Sequence, residues 1–167
     1  MQEISQAIGV AMGLGHEEQE ILHHGALVHD VGKVGIPDRV LLKDGQLTSE
    51  EYALMKNHTI IGDHLCAELR LLHRIRPIVR HHHENWDGTG YPRGVAGDAI
   101  PIGARIFAIV DAYDAMRSDR SYRKAMPIPA AIEEIVRHIG TQFDPKVVKV
   151  FLECQTDMET VLARGRD

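Results

Sequence analysis

The stretch IPIGARIFAIVDAYDAM (100–116) is the part of the sequence that most strongly determines the fold. Pro101 suits the first turn of a helix, and the pattern predicts a helix over residues 102–117. Within it, Ile106–Val110 form a continuous apolar run. Asp111 interrupts the run, and a buried carboxylate needs a partner. The sequence therefore predicts a helix that carries an acid in apolar surroundings, which makes Asp111 a candidate for a paired carboxylate.

Helical periodicity extends over most of the remaining chain. Glycine and proline separate the helical segments, and Thr48 with Glu51 forms a capping box that marks a helix start. No segment shows the polar–apolar alternation of a strand. The further predicted helices cover residues 2–12, 16–31, 49–57, 59–72, 75–84, 128–139 and 145–154. We therefore expect an all-α, single-domain bundle of about seven helices over residues 1–154, with residues 155–167 as a C-terminal tail.

A glycine-rich segment, NWDGTGYPRGVAGDAIP (85–101), separates two of these helices. Its four glycines and two prolines predict a loop. Long irregular loops in compact domains are usually either functional or disordered. Trp86 and Tyr91 could stack on a base, or they could anchor the loop against the domain.

Composition restricts the kind of protein. The 167 residues carry a formal net charge of −5, so the surface as a whole does not attract nucleic acid, and no DNA partner is predicted. A phosphate ligand would need a local positive centre, such as metal ions or a few placed lysines and arginines. Cys66 and Cys154 form no CxxC pair, which favours the reducing cytoplasm. We recognise no signal peptide and no apolar run long enough to span a bilayer.

Six residues are candidate metal ligands, because imidazole and carboxylate groups suit zinc, manganese, iron or nickel. They lie at helix ends or on helices beside loops, and they are His29, Asp30, His58, His82, His83 and Asp111. A single helical histidine is more often a surface or core residue, so the prediction depends on convergence of the whole set. Two metal ions need a bridging ligand, and the two oxygens of Asp30 make it our preferred bridge. Lys33 would place a cation near a phosphate oxygen.

Taken together, these segments resemble the HD-GYP family of HD-superfamily phosphohydrolases. The matching stretches are HDVGKVGIPDRVL (29–41), LTSEEYALMKNH (47–58), HHENWDGTGYP (82–92), IPIGARIFAIVDAYDAM (100–116), SDRSYRKAM (118–126) and GTQFDP (140–145). They follow the family's order and cover nearly the whole chain. The combination of HDVGK with HHENWDGTGYP is highly specific, whereas either stretch alone is less so.

The resemblance implies an HD-type helical bundle and a metal-dependent phosphodiesterase that cleaves cyclic di-GMP to pGpG and often on to GMP. It implies that all six candidates bind metal and that Asp30 and Lys33 act in catalysis. It also implies two metal ions, with iron or manganese preferred to zinc or nickel. The residues on the family's substrate-contact positions are Lys33, Tyr91, Asp114, Arg120 and Arg123. Four basic residues follow Asp111, namely Arg117, Arg120, Arg123 and Lys124. Judged without the resemblance, such a cluster would more often be a solvated face.

One departure from the family concerns the first helix. The family has a further histidine ligand, and in some members a glutamate one turn earlier, at positions that would precede Met1. We expect either that the first helix is truncated or that His29, Asp30 and Asp111 alone hold the first metal ion. A third metal site is not expected.

Two other functions are compatible with the sequence. The chain could be a catalytically weak signalling module that binds a dinucleotide or a partner domain through residues 85–101. It could also catalyse another HD-superfamily reaction, such as hydrolysis of a nucleotide monophosphate. The retained ligands argue against the first alternative, and the GYP segment (90–92) disfavours the second. GGDEF-type proteins and upstream receiver or sensor domains are the expected protein partners, and the oligomeric state is not predicted.

Overall fold

The computed structural model describes residues 1–119 and 124–164, with side chains described as far as Gln155. The α-helices in these ranges are α1 (Gln2–Ala11), α2 (His16–Val28), α3 (Asp38–Leu41), α4 (Ser49–Lys56), α5 (His58–Glu68), α6 (Arg76–His81), α7 (Ile102–Arg117), α8 (Ile128–Arg137) and α9 (Pro145–Arg164). Short 3-10 helices cover Val31–Gly35, Arg70–Ile75 and Gly97–Ala99. These residues contain no strand, and the predicted all-α fold is confirmed. None of the described helices is both long and apolar enough to cross a lipid bilayer.

Helix α7 is the centre of the bundle. Residues Ile106–Val110 are all buried, and helices α1, α2, α6, α8 and α9 contact α7. Ile8, Leu22 and Phe151 pack in the same core. A helix that is apolar on all sides is stable only inside such a shell of other helices. Asp111 therefore projects from a rigid, buried element that fixes its position.

The 3-10 helix Val31–Gly35 lies directly against α5. A Cβ atom on Gly32 would stand 1.9 Å from the carbonyl oxygen of His58. Glycine alone permits such a close approach of two backbones. The contact brings the end of α2, with His29 and Asp30, next to the start of α5.

Some predicted helix boundaries differ from the structure. The helix predicted over 16–31 ends at Val28, because the chain tightens into a 3-10 helix from Val31. The segment predicted as one helix over 59–72 divides into α5 and the 3-10 helix that begins at Arg70. Helix α9 continues to Arg164, so the prediction that its helical part ends at residue 154 is wrong. No glycine or proline interrupts residues 146–164, and helix formers predominate there.

Candidate metal centre and substrate cavity

All six predicted metal ligands lie together. Ligand atoms of four of them lie within 4.8 Å of one another, and these four are Asp30, His58, His82 and His83. His29 joins this cluster, because its Nε2 lies 3.4 Å from Oδ2 of Asp30. The same Nε2 lies 3.9 Å from Oδ1 of Asp111. The fold thus assembles imidazoles and carboxylates from four separate segments around one point.

Helix ends hold most of these side chains. His29 terminates α2, and Asp30 follows it at the start of the 3-10 turn. His58 opens α5, His82 terminates α6, and Asp111 lies within α7. Side chains on such elements are held more precisely than side chains on loops, which a metal centre requires.

The two carboxylate oxygens of Asp30 face different groups. Oδ2 lies beside Nε2 of His29 and 2.6 Å from Nζ of Lys33. Oδ1 lies 3.5 Å from Nε2 of His58 and 3.9 Å from Nε2 of His82. A carboxylate that has histidines on both sides meets the requirement for a ligand shared by two cations.

Hydrogen bonds fix the ring orientation of two histidines. Nδ1 of His58 donates to the carbonyl of Met55 at 2.8 Å, and Nδ1 of His82 donates to the carbonyl of Val79 at 2.9 Å. Because a carbonyl oxygen only accepts, Nδ1 carries the proton of each neutral ring, and Nε2 then presents its lone pair. The two Nε2 atoms face each other at 3.4 Å in a buried place. Facing lone pairs repel unless a cation lies near them, and backbone-bonded imidazoles are typical metal ligands. The donor set therefore fits a divalent metal ion.

The electrostatic environment keeps these imidazoles neutral. Burial lowers the pKa of His82 and of His58. Burial, together with the nearby His58, lowers the pKa of His83 to about 3. A histidine must be deprotonated to bind a metal ion, so these side chains are in the required state at neutral pH.

The carboxylate side of the cluster is charged. Burial alone would raise the pKa of Asp30, but hydrogen bonds from His29 and Lys33 lower it far below its usual range. Burial likewise opposes protonation of His29, and Asp30 with Asp111 overcomes that effect and raises its pKa. Negative charge thus concentrates at Asp30 and Asp111, where a cation would be held.

A cavity of about 1030 Å³ lies beside the cluster. Ligand pockets commonly measure ~300–1,000 Å³, so this space suits a large ligand. Four of the six candidate ligands line it, namely His58, His82, His83 and Asp111. Its wall also contains Lys33, Lys43, Tyr52, Lys56, Asn85, Thr89 and Tyr91. A ligand in this cavity would therefore reach the cluster directly.

The loop 85–101 folds back onto the cluster. The amide of Tyr91 donates to the carbonyl of His83 at 3.1 Å. A Cβ atom on Gly90 would lie 2.2 Å from the amide nitrogen of Asn85, so the approach requires glycine. The Tyr91 ring stacks on the His83 ring with centroids 4.9 Å apart. The loop thus covers one candidate ligand with an aromatic side chain that also lines the cavity.

Trp86 anchors this loop to the domain. Its amide donates to the carbonyl of Gln142 at 3.1 Å, and its carbonyl accepts from the amide of Gly97 at 2.9 Å. The guanidinium of Arg105 lies 5.7 Å from the indole centroid. Trp86 is not among the residues that line the cavity. Of the two roles considered for Trp86, the structure supports the anchor.

Of the five predicted substrate contacts, Lys33 and Tyr91 line the cavity and Asp114 does not. Asp114 lies one turn beyond Asp111 on α7, with Oδ1 3.9 Å from the amino group of Met1. Arg120 and Arg123 lie outside the described residues. Their roles therefore stay predictions.

Sequence reasoning missed other residues of the site. Glu84 is buried, and its Oε1 accepts from the amide of Arg93 at 2.8 Å, which ties the loop to the end of α6. Tyr52 and Lys56 lie four residues apart on α4 and share one face of that helix. That spacing, with Lys56 two residues before His58, is the signal that could have identified them.

Comparison with known proteins relates the chain to a family. Residues 1–147 match the HD domain family. A cyclic di-GMP phosphodiesterase of Thermotoga maritima is 40% identical over 166 residues, which cover 98% of this chain and 45% of that protein. A 3'3'-cGAMP-specific phosphodiesterase of Vibrio cholerae is 40% identical over 143 residues, covering 84% and 27% respectively. The chain spans less than half the length of these two curated relatives.

Solved structures support the predicted fold. An HDG"Y"P protein of Bdellovibrio bacteriovorus superposes with a TM-score of 0.72 at 21% identity, over 93% of this chain and 50% of that one. The HD-type helical bundle predicted from the resemblance is therefore confirmed.

Proposed function

The chain belongs to the HD domain family, and on that premise we propose that it is a metal-dependent phosphodiesterase acting on cyclic di-GMP. The products would be pGpG and then GMP. The observation that carries the proposal is the convergence of six ligand side chains around Asp30 beside a large cavity. The relatives named as cyclic di-GMP phosphodiesterases support the choice of substrate.

Two divalent ions would share Asp30 in the proposed centre. His29 and Asp111 would complete the residues that hold one ion, and His58, His82 and His83 would complete those that hold the other. Oxygen and imidazole donors suit iron and manganese, and the resemblance to HD-GYP proteins ranks these metals before zinc and nickel.

Such ions supply the Lewis acidity that lowers the pKa of water and offsets charge developing on phosphorus. In the overall hydrolysis, a bond forms from water oxygen to phosphorus, the bond from phosphorus to the ribose oxygen breaks, and that oxygen leaves with a proton. Asp30, held ionised by its surroundings, keeps the bridging position. Lys33 lies in the cavity wall and is suited to donate a hydrogen bond to a nonbridging phosphate oxygen. Tyr91 forms part of the wall against which the ligand would lie.

Metal content and turnover test the proposal together. The chain is loaded with iron or manganese under reducing, anaerobic conditions, and cyclic di-GMP, pGpG and GMP are separated by chromatography. His82→Ala should lose bound metal and reduce turnover by about 100-fold or more, since a direct ligand is removed. The matched control is His81→Ala, because His81 is the neighbouring histidine on α6 and bonds the carbonyl of Pro77. His81→Ala should leave metal content and turnover unchanged.

Two results would contradict parts of this proposal. Full metal content and full turnover in His82→Ala would overturn the ligand assignment. Tight binding of cyclic di-GMP by the metal-loaded chain without release of pGpG or GMP would identify it as the signalling module instead.

A second substrate is supported by one comparison. Since a relative at 40% identity is named a 3'3'-cGAMP-specific phosphodiesterase, we include 3'3'-cGAMP in the proposed substrate class. The ratio of kcat/KM for the two cyclic dinucleotides measures the preference. A ratio near one would contradict specificity for cyclic di-GMP.

The proposal also includes a cytoplasmic location and protein partners. The chain has only two cysteines, Cys66 and Cys154, and no CxxC pair, which is typical of proteins in a reducing compartment. GGDEF-type proteins and receiver or sensor domains stay the predicted partners. Size-exclusion chromatography with a purified GGDEF-type protein would test that association.

A further inference from the structure

A row of contacting side chains leads from the candidate metal centre along the cavity wall. The His83 ring stacks on Tyr91, and the Tyr91 and Tyr52 rings meet edge to face with centroids 6.4 Å apart. The ammonium of Lys56 lies 5.0 Å from the Tyr52 centroid and 5.7 Å from the Tyr91 centroid. A cation over an aromatic face is held by the ring quadrupole. Lys56 is therefore a positioned charge close to the centre.

The lysines of the cavity wall differ in their partners. Lys33 is paired with Asp30 at 2.6 Å, and Lys43 is paired with Glu51 at 2.5 Å. In the described part of the chain, Lys56 forms no ion pair with a carboxylate, and its recorded contacts are aromatic. A cation of this kind keeps its hydrogen-bond donors for an anionic ligand. Because the whole chain is negatively charged, an anion in this cavity depends on such local groups.

The chemistry of the proposed substrate supplies a suitable anion. A cyclic dinucleotide has two phosphodiesters in one ring, and only one of them can lie at the metal centre during a given cleavage. The second phosphate enters the same cavity and loses water there, which is costly unless a cation compensates its charge. We infer that Lys56, held between Tyr52 and Tyr91, binds the phosphate that is not being cleaved. This inference rests on the proposed function and identifies Lys56 as a determinant of specificity for cyclic substrates with two phosphates.

Three variants and two probes test the inference. Lys56→Met removes the charge with little change in side-chain length, and Lys56→Arg keeps it. Lys149→Met is the charge-matched control, since Lys149 is exposed on α9 and does not line the cavity. The first probe is the phosphorothioate analogue of cyclic di-GMP, which resists hydrolysis and whose Kd is measured by calorimetry on the metal-loaded chain. The second probe is bis(p-nitrophenyl) phosphate, a substrate with one phosphodiester, whose hydrolysis is followed by absorbance.

Lys56→Met should weaken binding of the analogue about tenfold, as loss of one charge-assisted hydrogen bond predicts. Lys56→Arg should stay within about threefold of the wild type on the same basis. Hydrolysis of bis(p-nitrophenyl) phosphate should fall far less in Lys56→Met than binding of the analogue does, and Lys149→Met should match the wild type with both probes.

The outcomes separate this inference from the proposed function. Unchanged analogue binding in Lys56→Met would overturn the inference. So would an equal loss with both probes, because that result indicates that Lys56 merely supports Tyr52 and Tyr91. If the wild type bound the analogue but did not cleave cyclic di-GMP, the proposed phosphodiesterase activity would be refuted. The Kd values of the variants for the analogue would still decide the role of Lys56. If the wild type did not bind the analogue, the inference about Lys56 would be overturned, and turnover of cyclic di-GMP would still decide the proposed function.

Discussion

Replacement of Gly32 by alanine should damage the fold and the candidate metal centre together. The added Cβ would lie 1.9 Å from the carbonyl oxygen of His58, whereas an ordinary contact needs at least 3.4 Å. The 3-10 helix and α5 would have to separate by about 1.5 Å, and the close-packed interior resists such a movement. Both partners in this contact are backbone, so rotation of a side chain cannot relieve it.

The expected destabilisation is about 3–5 kcal/mol, at the upper end of single substitutions. For a protein of this size, about 2–4 °C of melting temperature correspond to 1 kcal/mol, so the melting temperature should fall by about 6 °C or more. The same separation would pull Asp30 away from His58, whose closest atoms are 3.5 Å apart. Metal affinity should therefore fall at least about tenfold, since displacements near 1 Å disable a site.

Thermal unfolding followed by circular dichroism, together with metal titration of the folded protein, measures both effects. Gly15→Ala is the matched control, because its Cβ would meet nothing closer than 3.7 Å and its φ of −69° suits alanine. The control should lose less than about 1 kcal/mol. If Gly32→Ala melted within 2 °C of the control and kept its metal affinity, on the scale of about 2–4 °C per kcal/mol, this reasoning about backbone contact would be refuted.

Three further predictions concern stability. Asp63→Asn should cost about 1–3 kcal/mol at neutral pH, because Asp63 accepts charge-assisted bonds from the partly exposed Arg76 and Arg80. Burial opposes ionisation of Asp63, but these arginines lower its pKa below the reference value of 3.8, so the bonds contribute fully above that value. The difference between wild type and variant in urea unfolding should then shrink as the pH falls through the lower folded pKa. Thr48→Ala should lower the free energy of unfolding by about 1 kcal/mol, because the Thr48 hydroxyl accepts a hydrogen bond from the amide of Glu51. Thr48→Ser keeps a hydroxyl and should cost much less. Equal melting temperatures of the two variants would contradict the cap. Removal of metal by a chelator should lower the melting temperature by about 5–11 °C for each bound ion that was present at about 100 times its Kd, and an unchanged temperature would argue against metal binding.

The sequence predicted the elements whose pattern has one explanation. Helix α7 occupies the predicted residues 102–117, because Pro101 marks the helix start and the helical pattern continues to Arg117. The helix start at Ser49 was also predicted, since a capping box satisfies backbone donors in one geometry. The end of α2 was not, because a tightening from α to 3-10 geometry depends on the packing of Gly32 against α5, which no local pattern reveals.

The candidate site was likewise predicted only in part from the sequence. Residue types and helix positions predicted which side chains gather, and the structure brings His29 and the other five ligands together. The separate surroundings of the two oxygens of Asp30 follow from distances between distant segments, which sequence alone cannot supply. Tyr52 and Lys56 read as part of an ordinary solvated helix face, and only their shared face of α4, just before His58, connects them with the cavity that they line.

The glycines set the distances on which the proposed chemistry depends. Histidine and aspartate are common residues. Six of them form a metal centre only if the helices and turns that hold them are fixed relative to one another to within about 0.5 Å. Side-chain packing alone leaves more freedom than that, whereas direct backbone contact leaves very little. Gly32 permits such a contact between the 3-10 helix and α5, and Gly90 permits it between the loop and the segment after His83. The first contact joins the segment of Asp30 to that of His58, and the second fixes the loop against the residues that follow His83. Segments that look like flexible loops in the sequence, GKVG (32–35) and GTGYP (88–92), are therefore the parts that make this arrangement of ligands rigid.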